Sequence, residues 1–305
     1  IRNGVDNDIY VLRGNSQTSF YRYSISGNSW ATLTVVPGTV GVGAQMIRNS
    51  SDNDIYVLRG GGQTNFYRYS ISGNSWTTLT AVPGAVAEGG DILRNGADND
   101  IYVMQGNFTS NFYRYSISGN SWTTLTAVPE SISYGGLMIR NGADNDIYVF
   151  GASFGDKLHR YAISGNSWIS SSQSNLTDVP GAVGLGAQMI RNGSDDDIYV
   201  LRGGSTSTFY KYSISANSWT TLTSAPGTIG VGAQMIRNGS DDDIYVLRGN
   251  SQTSFYRYSI SGNSWTTLTV LPGAVAEGGT MIRNGSDNDI YVLRGNSQTS
   301  FYRYS

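Results

Sequence analysis

The sequence predicts an all-β fold, a seven-bladed β-propeller of four-stranded antiparallel blades whose last blade lacks its outer strand, and three observations carry that prediction. The tryptophans fall at Trp30, Trp76, Trp122, Trp168, Trp219 and Trp265, spaced about 46 residues apart, with one wider gap absorbed by extra residues at 170–175. Each repeat holds four short segments rich in β-branched and aromatic residues, bounded by Gly, Asn, Asp and Ser, as strands and hairpin turns require. No segment shows a helical period. A lone four-stranded sheet cannot bury both faces, so repeats of this length stack radially, which also shields their edges. Residues 1–305 are therefore expected to form one domain.

In the second repeat the expected strands are 43–49 (A), 54–59 (B), 66–70 (C) and 75–80 (D), separated by Asn-Ser-Ser, Gly-Gly-Gln-Thr and Ile-Ser-Gly-Asn turns. Strand B recurs seven times, from Ile9 to Ile290, and strand C seven times, but the Trp-bearing strand D only six. The first strand A is short, beginning at Ile1. A three-stranded last blade is expected, with an outer edge at residues 301–305 able to accept a strand from a neighbouring domain or molecule. Ile1 opens directly in repeat sequence, so the chain reads as a processed or excised piece.

Composition narrows the partners. A net charge of −2 without Lys/Arg blocks argues against nucleic acid, which needs a concentrated basic patch. No apolar run reaches the roughly 18 to 20 residues of a membrane helix, so no membrane insertion is expected. The chain has no cysteine, which removes disulfides and thiolate chemistry. A cysteine-free chain rich in Ser, Thr and Asn fits an extracellular or cell-surface setting in a bacterium or archaeon.

The stretch Tyr69-Ser70-Ile71-Ser72-Gly73-Asn74-Ser75-Trp76 and the stretch Ile55-Tyr56-Val57-Leu58-Arg59-Gly60-Gly61 resemble kelch repeats, and the match recurs along essentially the whole chain. It departs from the family where the glycine pair becomes Gly14-Asn15 or Gly249-Asn250, and where Ser follows the Tyr. Kelch-like propellers include copper oxidases of the galactose oxidase type, whose chemistry uses histidines and a cysteine-linked tyrosine. This chain has one histidine, His159, and no cysteine. The acids outside the recurring turn, Glu88, Asp91, Glu130, Asp156, Asp178 and Glu277, are scattered over different repeats. The expectation is accordingly no catalytic residue, no enzyme and no cofactor. The expected role is a non-catalytic binding or structural module in adhesion or assembly, with a glycan-binding lectin-like propeller as the alternative and a carbohydrate-active enzyme behind both. Expected partners are a protein, a second copy of the chain, or a surface glycan.

Arg13, Arg59, Arg202, Arg248 and Arg294 close strand B and are candidate ligand-binding residues, since a guanidinium fork donates several directed hydrogen bonds to hydroxyls or carboxylates. The alternative for each is stacking on a blade aromatic or binding loop carbonyls. A second set, Arg48, Arg94, Arg140, Arg191, Arg237 and Arg283, is expected to satisfy inner-strand carbonyls. The acidic run before strand B, Asp6 and Asp8 or Asp241 and Asp243, offers carboxylates at alternate positions for calcium, against a simple role in capping the turn. Asn49, Asn107, Asn175, Asn192, Asn238 and Asn284 lie in glycosylation sequons on expected turns.

Overall fold

The structure is a computed structural model that describes residues 1–305 except 134, 143, 152–154 and 171–175. Its strands, numbered along the chain, fall into seven sheets. Blade 1 holds β1 (Ile9–Leu12), β2 (Phe20–Ser24) and β3 (Ser29–Thr32). Blade 2 holds β4 (Gln45–Arg48), β5 (Ile55–Leu58), β6 (Phe66–Ser70) and β7 (Ser75–Thr78). Blade 3 follows with β8 (Asp91–Arg94), β9 (Ile101–Met104), β10 (Phe112–Ser116) and β11 (Ser121–Thr124). Blade 4 comprises β12 (Leu137–Arg140), β13 (Ile147–Phe150), β14 (Leu158–Ala162) and β15 (Ser167–Ser170), with one turn of 3-10 helix at Ile163–Gly165. Blade 5 comprises β16 (Gln188–Arg191), β17 (Ile198–Leu201), β18 (Phe209–Ser213) and β19 (Ser218–Thr221). Blade 6 is β20 (Gln234–Arg237), β21 (Ile244–Leu247), β22 (Phe255–Ser259) and β23 (Ser264–Thr267). Blade 7 is β24 (Thr280–Arg283), β25 (Ile290–Leu293) and β26 (Phe301–Tyr304).

Sheet order follows chain order in every blade, with four strands in blades 2 to 6 and three in blades 1 and 7. The fold is a seven-bladed β-propeller, and the last blade has three strands. Strands A, B and D are shorter than their sequence pattern, because glycine and polar residues at their ends turn the chain before the ladder can continue. Residues near Ile1 form no named strand, but they join blade 1 through the Arg2 to Ile9 bridge and through the Tyr10 amide, which donates to the Ile1 carbonyl at 2.8 Å. Two compact units make up the chain: Ile1–Met138 with Ala162–Trp168, and Ile139–Tyr161 with Ile169–Ser305.

Strand B is buried on both faces, as in Ile55, Tyr56, Val57 and Leu58, which accounts for its unbroken apolar sequence. Adjacent blades share their cores. Tyr56, Leu58 and Phe66 of blade 2 pack against Ile101, Val103, Tyr113 and Tyr115 of blade 3, and the same set recurs between blades 5 and 6. Each such side chain contributes about 1.5–3 kcal/mol on burial, so a blade is stable only beside a neighbour.

A polar latch repeats outside this core. The Trp76 indole donates to the Thr34 carbonyl of the preceding blade at 2.8 Å, and its ring meets Phe20 of that blade at 5.2 Å. In the next pair, Asn120 Oδ1 accepts from the Thr80 amide at 3.0 Å and from the Tyr115 hydroxyl at 2.8 Å, while its carbonyl accepts from Thr80 Oγ1. Asn120 holds a left-handed φ of 43°, which Asn tolerates better than most side chains. Asn120→Ala removes two acceptor contacts and keeps the strained backbone, so an expected loss of about 1–3 kcal/mol will appear as a lower denaturant midpoint with unchanged slope.

Candidate functional site

The acidic run is built into the A-to-B turn. Asp6 Oδ1 accepts from the Asp8 amide at 2.9 Å and Oδ2 from the Tyr10 hydroxyl at 2.8 Å, and Asp8 faces Arg22 at 3.4 Å. Blade 6 repeats this with Asp241, Asp243, Tyr245 and Arg257. Burial opposes ionisation of Asp241, but the bonds from Asp243, Tyr245 and Asn238 outweigh it and hold its carboxyl below the usual range. Asp243 is shifted the other way, by burial and then by the Asp241 charge. Among the described residues no group of three or more His, Cys, Asp or Glu is placed to hold a metal. The contacts these carboxylates make are those of turn caps and ion-pair partners.

The strand-B arginines reach back to the preceding connection. Arg59 Nε donates to the Thr39 carbonyl at 2.5 Å, and Arg202, Arg248 and Arg294 make the same bond to Ala182, Thr228 and Ala274. Arg59 also donates to Asn65 and Thr39 side chains, which commits its fork to the loop. Arg13 is exposed. The second arginine set meets side chains rather than the expected carbonyls: Arg140 Nε donates to Asn145 of its own turn, and Arg237 donates to Ser194 of the preceding blade at 3.0 Å. Of the sequon asparagines, Asn49, Asn192, Asn238 and Asn284 are buried, so their amides have no room for a glycan on the folded chain. Asn107 is exposed, and Asn175 lies outside the described residues.

Blade 3 departs from the repeat at one end of its first strand. The register position opposite Leu58 of blade 2 is Gln45, and Gln188, Gln234 and Thr280 hold it in blades 5, 6 and 7. In blade 3 it is Asp91, opposite Met104. Asp91 is half-buried; its Oδ1 accepts from the Ile92 amide at 2.8 Å and its Oδ2 from the Met138 amide of the next blade at 2.9 Å. Burial pushes its carboxyl up to about 7, against the pull of those two amides. Each oxygen keeps a second lone pair for a ligand.

The groups around Asp91 follow from local sequence. Gln105 stands where most blades carry the strand-B arginine, and its Oε1 accepts from Tyr113 at 2.9 Å and Asn111 at 2.8 Å. Phe108 stands 61 % exposed at the tip of the B-to-C loop. Glu88 is exposed, and Glu130 is half-buried. Backbone bonds knit these segments together: the Asn107 amide donates to the Glu88 carbonyl and the Phe108 amide to Ile132. Asp91 stands among the scattered acids of the sequence, and its only signal there is an acid in a register otherwise held by Gln, Thr or Leu.

The site thus lies on a seven-bladed β-propeller of meandering antiparallel sheets. No protein-family model matches the chain, and no curated protein does, so the kelch resemblance stands only as the propeller fold. Among solved structures it is similar to a fungal alcohol oxidase described as showing catalytic diversity among the AA5 family, in complex with copper, with a TM-score of 0.71 and 16 % identity. The match covers 94 % of this chain and 65 % of that one. No helix among the described residues is long and apolar enough to cross a membrane.

That likeness corrects two expectations. A propeller of this shape carries a copper-bound oxidase, so the inference from repeat symmetry to a non-catalytic module fails, and with it the expectation that such a fold works without a cofactor. Copper itself does not fit the residues present. The chain has no cysteine, and its one histidine, His159, is buried at 3 % exposure on β14, opposite Val149.

Proposed function

We propose that this chain is the propeller of an enzyme acting on a hydroxyl-bearing substrate, an alcohol or carbohydrate, with Asp91 as its acid–base group. The observation that carries the reading is the place of Asp91: a half-buried carboxyl on a first strand, bridging two blades, in a register where other blades carry Gln, Thr or Leu. Backbone amides of Ile92 and Met138 fix both oxygens, so the proton can pass to or from a substrate oxygen without the carboxyl turning. A carboxyl poised near neutrality is suited to that transfer, which contributes typically 10²–10⁴-fold to rate. The propeller shared with a copper alcohol oxidase supports the substrate class. An extracellular location belongs to the proposal, supported by the cysteine-free, hydroxyl-rich composition.

The test compares the wild-type chain with Asp91→Gln on a panel of neutral and acidic polysaccharides and primary alcohols. Gln already occupies this position in blades 2, 5 and 6, so the variant is expected to fold. Wild-type turnover of at least one substrate, with an inflection in rate near pH 7 and a loss of about 10²-fold or more in the variant, is the expected result. A wild-type chain inert on the whole panel, or a variant as active as wild type, overturns the proposal.

A further inference from the structure

We infer that the outer edge of β26 in blade 7 is a docking site for one extended strand of a separate polypeptide, selected by an Asn-Ser-Trp sequence. The inference goes beyond the Asp91 reading and does not rest on it, since the edge belongs to a different blade.

Identical sequences in blades 6 and 7 show what the edge lacks. Residues 255–259 and 301–305 both read Phe-Tyr-Arg-Tyr-Ser. In blade 6, strand β23 covers this segment with Trp265 opposite Tyr258 in the register, and Tyr256 and Tyr258 are buried at 5 % and 1 % exposure. Strand β26 is paired on one side only, with β25, and the corresponding Tyr302 and Tyr304 are left half-buried. The Trp265 ring lies 6.3 Å from that of Tyr256 and 5.0 Å from that of Tyr258, and it meets Phe209 of blade 5 at 5.3 Å. Tyr304 meets Phe255 at 5.0 Å, much as Tyr258 meets Phe209 at 4.8 Å. The aromatic pair that flanks an indole in blade 6 is therefore already assembled in blade 7.

Polar groups define the same occupant. Where blade 6 latches onto blade 5, Thr223 donates its amide to Asn263 Oδ1 at 3.0 Å and its hydroxyl to the Asn263 carbonyl at 2.8 Å. The Thr223 carbonyl accepts from the Trp265 indole at 2.7 Å, and the Tyr258 hydroxyl donates to Asn263 Oδ1 at 2.8 Å. One repeat later the equivalent groups belong to Thr269 and Tyr304. Thr269 is exposed, and among the described residues its amide, hydroxyl and carbonyl and the Tyr304 hydroxyl have no hydrogen-bond partner. These groups form the array that an Asn, followed two residues later by a Trp, satisfies in the blades before it. The six Asn-Ser-Trp strands of residues 1–305 are each paired within their own blades, so neither they nor those of an intact second copy are available to fill the edge.

A strand added antiparallel to β26 gains affinity from main-chain hydrogen bonds and specificity from the seats of its side chains. The register of blade 6 sets its Trp opposite Tyr304 and its Ser opposite Ser305.

The probe is a dye-labelled peptide with the sequence of residues 261–269, Ser-Gly-Asn-Ser-Trp-Thr-Thr-Leu-Thr, titrated with the chain and read by fluorescence anisotropy. Saturable one-to-one binding is expected, roughly tenfold weaker or more for peptides carrying Trp265→Ala or Asn263→Ala. In the chain, Tyr304→Phe and Thr269→Val each remove one hydroxyl donor from the edge and are expected to weaken binding about three- to tenfold. Asp91→Gln, in blade 3, is expected to bind as wild type does. Amide hydrogen exchange in the saturated complex is expected to slow at Thr269 and across residues 301–305. No binding at millimolar peptide, equal binding of the Trp265→Ala peptide, wild-type affinity in both Tyr304→Phe and Thr269→Val, or protection confined to other strands overturns the site. A chain that dimerises by light scattering and loses the dimer when peptide is added gives the edge to a second copy and overturns the separate partner.

Discussion

Gly232→Ala is expected to lower the stability of the chain by about 3–5 kcal/mol, a fall of roughly 10 °C in thermal midpoint. Gly232 has φ 81°, and an added Cβ would collide with the carbonyl of Ala276 in the next blade. Two penalties combine. The left-handed backbone costs a non-glycine residue about 1–2 kcal/mol, and the collision is with backbone, which cannot rotate away. Neighbouring first strands β20 and β24 pack side by side just beyond this contact, so relief would require the blades to move apart. Gly62→Ser is the control. Gly62 has φ 67° but nothing near its Cβ position, and Ser already fills the equivalent place in four blades. Its midpoint is expected to change by no more than about 2 °C. Equal effects of the two substitutions would show that backbone conformation, and not the approach of blades, fixes Gly232.

Asp91 gives the second large effect, and its sign is opposite to that of an ordinary surface carboxylate. Burial raises the folded value from 3.8 to about 7. Between those limits the folded state holds a proton that the unfolded chain has released, so stability falls as pH rises from about 4 to about 7. The loss over that window is about 2–4 kcal/mol. It is complete above the folded value. Asp91→Gln carries no titrating group at this position, so thermal midpoints of the two proteins are expected to lie close together below about pH 4 and to separate by several degrees at pH 8, with the variant higher. Parallel midpoints across that range would place Asp91 in contact with bulk water and remove the basis for its raised value. On the proposed acid–base role the same substitution removes turnover, so a gain in stability accompanies the loss of activity.

The register of Asp91 shows where sequence reading stops. Periodic Trp, the apolar runs of strand B and the Asn and Gly turns are local signals. They repeat often enough for the blades to be counted by eye, and the all-β architecture follows because a four-stranded unit must bury its faces on its neighbours. The Asp6-Asp8 and Asp241-Asp243 runs were equally legible as turn caps, since an Asx turn needs only residues close in sequence. Arg59 was half legible: its end-of-strand position was plain, but its Thr39 carbonyl partner lies 20 residues away. Likewise the sequons looked exposed until the fold buried Asn49 and Asn284 beneath their own turns.

By itself, then, the sequence determined the blade, its number of copies, the three-stranded last sheet and the absence of thiol chemistry, because each depends on nearest neighbours along the chain or on composition. Only the tertiary structure decided that one scattered acid sits half-buried between two blades and that Gly232 admits no side chain. Those facts depend on which backbone approaches which across an inter-blade contact. Desolvation and close approach are properties of that contact, and no residue carries them until its neighbour in space is in place.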